Sequence, residues 1–359
     1  MEVLIVTGRF GMGHYTVSQS IAEQINQTLP QANVKIVDLC ESILPEQANL
    51  IYRTFEKIVN RSALLFNLGY KYTERFEPNV RPLLPRSFMS RLKALLLYYQ
   101  PDAIICTVPI APALIADCLK ELGLTVPFMT CITDLICHPY WLHPDTKRYF
   151  VADYATEERL MSRGVPEEKI VVHGMPVKRA FDNPPERPCH DKREKHLLIM
   201  GGGLGLLSMP KSFYQAINRL PDVKTTIITG NNKRLLKKLS GRYENIEVLG
   251  YTDKVAQYMR QSDLIISKAG GITVFESIYS ELPMLLTEPM LAQELGNAEF
   301  VVQQGVGRLL EKRTKDRIRE IEELIYDDTA LWNLRQRMRT IQATHDKMAV
   351  GRLLAEVCR

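Results

Sequence analysis

Short apolar runs alternate along this chain with longer stretches in which apolar residues recur every three or four positions. The runs are bounded by turn-forming residues and predict buried strands, whereas the longer stretches predict amphipathic helices. The predicted strands fall into two series: residues 3–6, 34–37, 102–106, 128–132, 149–152 and 170–172, then residues 196–200, 223–228, 246–249, 263–267 and 284–286. Strands that alternate with helices favour parallel sheets, so we expect an α/β protein with two Rossmann-like, doubly wound domains.

The boundary between the two series is a stretch rich in proline and charge. Residues 179–195 have the composition of a linker, and they separate a predicted domain at residues 1–178 from a second one at residues 196–345. Residues 346–359 predict a final helix. At 359 residues the chain is long enough for two cores, and we expect a ligand in the cleft between the domains.

Composition narrows the class of protein. The seven cysteines are scattered without a C-x-x-C pair, so we expect no disulfide framework or zinc site, and a reducing cytosol fits. No basic region precedes the first strand, so no signal peptide is expected. The most apolar long stretch, residues 103–116, contains two prolines and is shorter than the ~20 residues of a membrane span. The sequence therefore predicts a soluble or peripheral protein.

The net charge of +5 is concentrated in one region. Residues 51–100 contain nine Lys or Arg and three Glu, a local charge of +6, together with many Phe, Tyr and Leu residues. Within it, residues 87–99 predict an amphipathic helix with an apolar face and a basic edge. The face consists of Phe88, Leu92, Leu95, Leu96 and Tyr99, and the edge of Arg86, Arg91 and Lys93.

The apolar face of this helix could contact either the protein core or a membrane surface. A single amphipathic helix more commonly packs on a core, but the basic excess over the whole region favours an anionic membrane surface. Nucleic acid would also suit a basic face. No nucleic-acid-binding motif accompanies it, so we do not expect nucleic acid as a partner.

Two glycine-rich stretches in the second series suit a phosphate. In one, the predicted strand 263–267 is followed by Gly270 and Gly271, and a helix is predicted from Thr273. Backbone without Cβ atoms can approach a phosphate closely, and the N–H groups at a helix start point at it. The other stretch follows residues 196–200 and includes Gly203 and Gly205.

Polar residues beside the first of these stretches allow two interpretations. Glu276, in the first turn of the predicted helix, could accept hydrogen bonds from both hydroxyls of a ribose. Thr273-x-x-Glu276 is also the pattern of a capping box, which needs no ligand. Gln293, Glu294 and Asn297 follow the next strand, at the edge where open α/β sheets bind ligands, and this placement favours a sugar nucleotide.

The first predicted strand leads into a third glycine loop, residues 7–14, which ends in Gly13 and His14. A dinucleotide-binding unit begins in the same way. The spacing here is G-x-x-G-x-G rather than G-x-G-x-x-G, which weakens the case for a nicotinamide-dependent oxidoreductase. His14 is either a residue at a helix start or a catalytic base, a role for which the pKa of histidine is suited.

Asp134, His138 and His143 raise the question of a metal site. Their spacing is unlike that of zinc ligands, and Pro139 and Pro144 fix an irregular loop, so we expect no metal. The chain also has no D-x-D motif, which makes a divalent metal on a bound diphosphate unnecessary.

Several of these motifs occur together in one known family. The run S-K-A-G-G-I-T-V-F-E at residues 267–276 and the run Q-E-x-G-N at residues 293–297 resemble the donor site of the monogalactosyldiacylglycerol synthase and processive diacylglycerol β-glucosyltransferase family. The T-D pair at 133–134, the H-x-x-W-x-H run at 138–143 and the G-x-P-V-K turn at 174–178 are similar to this family as well. Its members are nucleotide-sugar enzymes of the GT-B fold, similar to glycosyltransferase family 28.

The resemblance implies a UDP-sugar donor, with transfer of glucose or galactose to the 3-hydroxyl of 1,2-diacylglycerol and inversion at the anomeric carbon. His14, assisted by Asp134, would be the base. Tyr251 would lie near the uracil, and Lys178 or Arg179 near the diphosphate. The UDP-sugar is a substrate, so no cofactor is expected.

The same resemblance implies a place for the acceptor. The loop at Gly13 and the basic helix would face diacylglycerol and an anionic membrane surface, with the protein peripheral on the cytoplasmic face of the cell membrane. The last helix would pack back on the first domain. Three alternatives remain: a transferase for another lipid-linked acceptor of the muropeptide type, a hydrolysing UDP-sugar epimerase, and a non-catalytic UDP-sugar sensor.

Overall fold

The computed structural model describes residues 1–10, 12–61, 63–76, 85–182, 194–203, 205, 207 and 209–357, except for the side chains of residues 56, 60, 61 and 63–65. Most of the predicted linker, residues 183–193, and residues 77–84 of the basic region lie outside the described residues. The chain divides into two compact units. The first comprises Met1–Arg179, Leu291–Gln293 and His345–Arg359, and the second comprises Ala180–Met290 and Glu294–Thr344.

Within the described residues, each unit contains one six-stranded parallel sheet. The strands of the first unit are β1 (Glu2–Thr7), β2 (Asn33–Asp38), β3 (Ala103–Cys106), β4 (Phe128–Cys131), β5 (Tyr149–Val151) and β6 (Ile170–Val172). Those of the second are β7 (Lys195–Met200), β8 (Val223–Ile228), β9 (Ile246–Leu249), β10 (Leu264–Ser267), β11 (Met284–Leu286) and β12 (Gly307–Leu309). The strand orders are β2-β1-β3-β4-β5-β6 and β12-β11-β10-β7-β8-β9. The predicted fold class is confirmed.

Helices connect these strands. In chain order they are α1 (Gly13–Thr28), α2 (Leu39–Ile43), α3 (Pro45–Arg61), α4 (Ala63–Thr73), α5 (Arg86–Tyr99), α6 (Ala111–Leu122), α7 (Tyr154–Ser162), α8 (Lys211–Ile217), α9 (Lys233–Leu239), α10 (Val255–Gln261), α11 (Gly271–Tyr279), α12 (Ala292–Gln303), α13 (Thr314–Ile325), α14 (Asp328–Ala343) and α15 (Ala349–Val357).

The strands form at the apolar runs because parallel sheets are covered on both faces and need apolar side chains on both. Residues 3–6 of β1 and 264–266 of β10 are each at most 1% exposed. Around them, the apolar faces of the helices complete one core in each unit.

The order of the strands places one crevice in each sheet. All strands are parallel, so the loops that follow them gather at one edge. In the first unit the chain moves from β1 to β2 on one side and then to β3 on the other. In the second unit the corresponding reversal lies between β7 and β10. Open α/β sheets bind ligands at such a switch point, so these two places are where a site is expected.

The last helix, α15, packs on α1 of the first unit. The contact is close at Gly351, where an added Cβ atom would lie 1.7 Å from the hydroxyl oxygen of Thr28. Only glycine lets the two helices approach to this distance.

Helix α5 contradicts one prediction. Phe88 and Leu92, which we predicted to face a membrane, are buried in the core of the first unit with residues of β3 and α6. The prediction is wrong because a core-facing helix and an interfacial helix have the same period of 3.6 residues.

Candidate active site

Glycines shape the switch point of the second unit. Gly202, Gly205 and Gly230 all have positive φ angles, which L-residues rarely adopt. At Gly205 an added Cβ atom would lie 1.9 Å from the carbonyl oxygen of Thr229. The backbone N–H of Asn231 also donates to the carbonyl of Gly203 at 2.9 Å. The loop after β7 is therefore held against the loop after β8, at the edge where a ligand is expected.

Helix α11 starts earlier than the sequence predicts. Its N-cap is Gly270, and Gly271 is its first residue. Thr273 is thus the third helical residue, and Glu276 lies in the second turn rather than the first. The capping-box interpretation is wrong, since the N-cap residue has no side chain. What remains at the helix start is a set of backbone N–H groups, the arrangement that binds anions.

Glu276 and Thr273 are both buried, each 8% exposed. A carboxylate at this depth needs partners, because an isolated buried charge is very costly. The ribose-binding interpretation of Glu276 stays a prediction.

A pair of charges lies beside the start of α11. Lys268 Nζ is 2.7 Å from a carboxylate oxygen of Glu294, which is only 5% exposed. The second carboxylate oxygen of Glu294 accepts a hydrogen bond from the backbone N–H of Met290 at 3.3 Å. The sequence analysis assigned Glu294 to the sugar but missed Lys268. The signal was present, since this lysine lies in the S-K-A-G-G run.

Asn297 ties α12 to the same loop. Its amide donates to the carbonyl oxygen of Ala269 at 2.9 Å. The structure therefore gathers Lys268, Glu294 and Asn297 around the loop that precedes Gly270. Gln293 lies one residue before Glu294 and is half-buried.

Tyr251 lies farther along the same sheet. It follows β9, which is two strands from β7, and its side chain is 63% exposed. An exposed aromatic ring is a suitable surface on which a base can stack.

In the first unit, His14 lies at the switch point as the second residue of α1. Its Nδ1 is 2.7 Å from the hydroxyl oxygen of Thr133, and its ring centroid is 6.0 Å from that of Trp141. Burial lowers the pKa of His14 to about 4, although the backbone of Thr107 opposes this by acting as a hydrogen-bond acceptor. The imidazole is therefore neutral near pH 7, which is the form that a general base needs.

Hydroxyl groups extend this arrangement. Ser18, one turn along α1, donates to the backbone carbonyl of His14 at 2.8 Å, and its oxygen is 2.8 Å from the hydroxyl of Thr107. The hydroxyl of Thr133 thus bonds to the ring itself, whereas that of Ser18 bonds to the backbone of His14 and to Thr107.

Asp134 was predicted to assist His14, whereas the side chain that the structure shows hydrogen-bonded to the ring is Thr133. Asp134 is half-buried, and its charge, second to burial, raises the pKa of Tyr70. The sequence analysis named the T-D pair but gave no role to its threonine.

The two histidines of the H-x-x-W-x-H run have local structural roles. Nδ1 of His138 accepts a hydrogen bond from the backbone N–H of Tyr140, and its Nε2 is 3.0 Å from the hydroxyl of Thr73. Nδ1 of His143 accepts one from the backbone N–H of Asp145 at 3.2 Å. Within the part of the chain that the structure describes, no group of three or more His, Cys, Asp or Glu side chains is arranged to hold a metal ion.

Lys178 and Arg179 lie at the end of the first unit. Lys178 is half-buried and Arg179 is exposed, with the backbone N–H of Arg179 bonded to the carboxylate of Glu23 at 2.9 Å. The preceding turn requires glycine, because Gly174 has a φ of +83° and an added Cβ atom would lie 2.5 Å from the ring of His345.

The basic edge of α5 is partly used within the protein. Arg91 donates to the backbone carbonyl of Ile43 at 2.8 Å, and Lys93 Nζ is 2.8 Å from the carboxylate of Glu121. Arg86 is exposed at the start of the helix.

An exposed apolar and basic surface lies instead on α3 and α4, and we call it the α3–α4 surface. Its residues recur with helical spacing on each helix, and all of them are exposed. They are Leu50, Arg53, Lys57 and Ile58 on α3, and Leu68, Lys71 and Tyr72 on α4, with Arg75 just beyond. Among the described helices, each is too short or too polar to cross a membrane.

Comparisons with known proteins cover both units of the chain. Residues 14–177 match the family model of monogalactosyldiacylglycerol (MGDG) synthase, and residues 196–350 match that of the glycosyltransferase family 28 C-terminal domain. The chain is 28% identical to the processive diacylglycerol beta-glucosyltransferase of Staphylococcus carnosus (strain TM300), over 96% of this chain and 90% of that protein.

Two solved structures share the fold. MurG from Acinetobacter baumannii has a TM-score of 0.65 at 15% identity, covering 99% of this chain and 98% of its own. The UDP-GlcNAc 2-epimerase from Neisseria meningitidis, bound to UDP-GlcNAc, has a TM-score of 0.60 at 16% identity, covering 99% of both chains. A transferase and an epimerase resemble the chain about equally, so the fold alone does not separate these activities.

The two sheets with their switch-point loops, together with the two matched models, define a glycosyltransferase of the GT-B fold. The first part of the chain matches the monogalactosyldiacylglycerol synthase family and the second part the C-terminal domain of glycosyltransferase family 28, and nearly the whole chain is similar to a processive diacylglycerol beta-glucosyltransferase. The predicted family and the predicted class of enzyme are confirmed.

Proposed function

We propose that this enzyme transfers a hexose, glucose or galactose, from a UDP-sugar to the 3-hydroxyl of 1,2-diacylglycerol, with inversion at the anomeric carbon. The observation that carries the proposal is the neutral His14 at the switch point of the first unit, inside the segment that matches the MGDG synthase model. The relative from Staphylococcus carnosus, whose name specifies a diacylglycerol acceptor, supports diacylglycerol as the acceptor. Its similarity covers 96% of this chain.

The second unit binds the donor. The N-terminus of α11 and the ammonium of Lys268 provide positive potential for the diphosphate, with Lys178 or Arg179 as a further cation. Glu276 accepts hydrogen bonds from the ribose hydroxyls, and Tyr251 stacks on the uracil. Gln293, Glu294 and Asn297 bind the hexose hydroxyls, with Glu294 oriented by Lys268.

These groups also serve the chemical step. When the bond between the anomeric carbon and the phosphate oxygen breaks, the negative charge on UDP increases. Helix N–H groups and an ammonium that are already in position stabilise this charge without reorganising. This chemistry needs no cofactor.

The first unit activates the acceptor. Nε2 of His14 takes the proton of the 3-hydroxyl while its oxygen attacks the anomeric carbon. The oxygen–carbon bond forms as the bond to UDP breaks on the opposite face, so the configuration inverts. The proton remains on His14 and is later released to solvent. Gly13, directly before His14, gives the acceptor access to the base.

Diacylglycerol resides in a bilayer, so the enzyme must reach a membrane surface. We assign this contact to the α3–α4 surface, where exposed Leu, Ile and Tyr side chains lie among exposed cations. Apolar residues enter the interface, and each nearby cation is attracted by anionic lipid. The protein would then be peripheral, on the cytoplasmic face of the membrane.

The test combines purified protein, UDP-glucose or UDP-galactose, and liposomes that contain diacylglycerol and anionic phospholipid. We expect one equivalent of UDP for each hexosyl-diacylglycerol formed. Release of UDP without glycolipid, or interconversion of UDP-GlcNAc and its 2-epimer without any acceptor, would contradict the proposal.

A further inference from the structure

The ring of His14 is held by a residue that is distant in sequence. Thr133 lies two residues after the end of β4, is 5% exposed, and places its hydroxyl oxygen 2.7 Å from Nδ1. Trp141, from the same loop, is 1% exposed, and its ring centroid is 6.0 Å from that of His14. Nδ1 of the imidazole is therefore held by protein. The proposed function requires Nε2 to meet the substrate, so the ring hydrogen bond that the Thr107 backbone accepts must also come from Nδ1.

A threonine hydroxyl can either donate to or accept from an imidazole nitrogen. If it donates to Nδ1, the single proton of the neutral ring is on Nε2, which then cannot take a proton from an acceptor. If it accepts from Nδ1–H, the lone pair of Nε2 is free. The hydrogen bond at one nitrogen thus decides whether the other nitrogen is a base.

We propose that Thr133 is a positioning residue whose hydroxyl accepts a hydrogen bond from Nδ1–H of His14 and so fixes the tautomer in which Nε2 is the base. This inference rests on the proposed function, in which His14 deprotonates the acceptor. After proton transfer the ring carries a proton on both nitrogens, and the bond from Nδ1–H to Thr133 stabilises the cation that has formed.

The chain offers a matched set of variants. Thr133→Val keeps the shape and removes the hydroxyl, whereas Thr133→Ser restores it. Thr130→Val is the control: Thr130 is fully buried on β4, and its hydroxyl has no hydrogen-bond partner among the described residues. The same chemical change is thus made three residues away without loss of a hydrogen bond.

The kinetic test measures hexosyl-diacylglycerol formation at saturating donor and acceptor. Thr133→Val should lower kcat roughly 10- to 100-fold, less than the 10²–10⁴-fold contribution of a base itself, and leave the Kd of UDP within about twofold. Thr133→Ser should recover most of the activity, and Thr130→Val should match the wild type. Wild-type turnover in Thr133→Val, or an equal loss in Thr133→Ser, would overturn the role of the hydroxyl.

A second readout is independent of turnover. In protein labelled with ¹⁵N-histidine, the His14 resonances can be assigned by their absence from a His14→Gln spectrum. We expect a protonated Nδ1 and an unprotonated Nε2 at pH 7, with a shift towards the other tautomer in Thr133→Val. A proton on Nε2 in the wild type would overturn the inference. The predicted tautomer in a protein that forms no glycolipid would instead refute the proposed function and leave the positioning role of Thr133 standing.

Discussion

The glycine loops at the two switch points surround different kinds of side chain. In the second unit the loop before α11 lies beside the Lys268–Glu294 ion pair, and the helix start adds unpaired N–H groups. In the first unit the corresponding place holds His14 among the hydroxyls of Ser18, Thr107 and Thr133. The same arrangement of strand, loop and helix thus gives a charged site suited to a diphosphate and a neutral site suited to a base.

The difference follows from what each site has to do. A nucleotide diphosphate is bound by charge and by a helix dipole. A histidine must remain neutral to accept a proton. A carboxylate beside it would raise its pKa and favour the protonated ring, whereas a cation would lower its pKa and weaken it as a base. The hydroxyl of Thr133 is bonded to the ring and carries no charge.

The largest effect should come from removing the base. His14→Ala should lower kcat by roughly 10²–10⁴-fold with the Kd of UDP unchanged, because donor binding belongs to the second unit. The readouts are glycolipid formation at saturating substrates and calorimetric titration of UDP. His196→Ala, on a partly exposed histidine of the second unit, is the control. A large loss of UDP affinity in His14→Ala would contradict the proposal that the second unit binds the donor and the first supplies the base.

The next largest effect concerns the membrane. Lys57, Lys71 and Arg75 are exposed on or beside the α3–α4 surface. Changing all three to Gln should weaken binding to anionic liposomes by about 3 kcal/mol, at about 1 kcal/mol per cation. The loss should shrink at high salt, since the Debye length falls from ~10 Å at 0.1 M to ~3 Å at 1 M.

Helix α9 supplies the control for this experiment. Lys233, Lys237 and Lys238 are also exposed, and changing them to Gln alters the net charge equally. Co-sedimentation with vesicles at low and high salt is the measurement. Equal losses in the two triple variants would show that net charge, and not the α3–α4 surface, governs membrane binding.

A substitution of Glu276 tests whether this residue binds the ribose of the donor. Glu276→Gln should lower UDP affinity by about 1.5–3 kcal/mol, the range for hydrogen bonds to a charged group. Wild-type protein should bind 2′-deoxy-UDP less tightly than UDP, and the variant should distinguish the two ligands much less. If the wild type and the variant discriminate equally between these ligands, Glu276 does not contact the ribose.

The smallest effect concerns acid stability. Burial lowers the pKa of His14, His138, His173 and His345 to about 4, and all four lie in the first unit. A folded-state pKa below the usual ~6.5 means that the contribution to stability is present above pH 6.5 and is lost as the pH falls towards 4. His14→Gln should therefore reduce the loss of stability between pH 7 and pH 5 by on the order of 1 kcal/mol.

Tryptophan fluorescence can assign this effect to a unit. Trp141 is buried in the first unit and Trp332 is half-exposed in the second. In a Trp332→Phe background, urea unfolding at pH 7 and pH 5 reports on the first unit alone. The same pH dependence with and without His14 would contradict its lowered pKa.

The strands other than β12 and the glycine stretch before α11 could be predicted because their signals are local. A strand buried on both faces is a continuous apolar run, and the S-K-A-G-G run brings Lys268, Gly270 and Gly271 together within a few residues. Helix α11 was predicted to begin two residues late because glycine has low helix propensity, a weak guide at a helix terminus.

Other features could not be predicted, because they depend on the order of the strands or on what packs nearby. The bond between His14 and Thr133 joins residues 119 positions apart and requires β4 to lie beside β3 and β3 beside β1. The period of α5 identifies an apolar face but not its partner, which proved to be the core. We accordingly propose that α3 and α4 make the membrane contact.

The anomeric configuration of the product tests the central claim most directly. A single base in the first unit, acting while UDP departs from the second, requires one displacement at the anomeric carbon. From UDP-glucose or UDP-galactose, both α-linked, proton NMR of the glycolipid should show a β-linked hexose on the 3-position of diacylglycerol. An α-linked product, or free hexose with no glycolipid, would contradict the account.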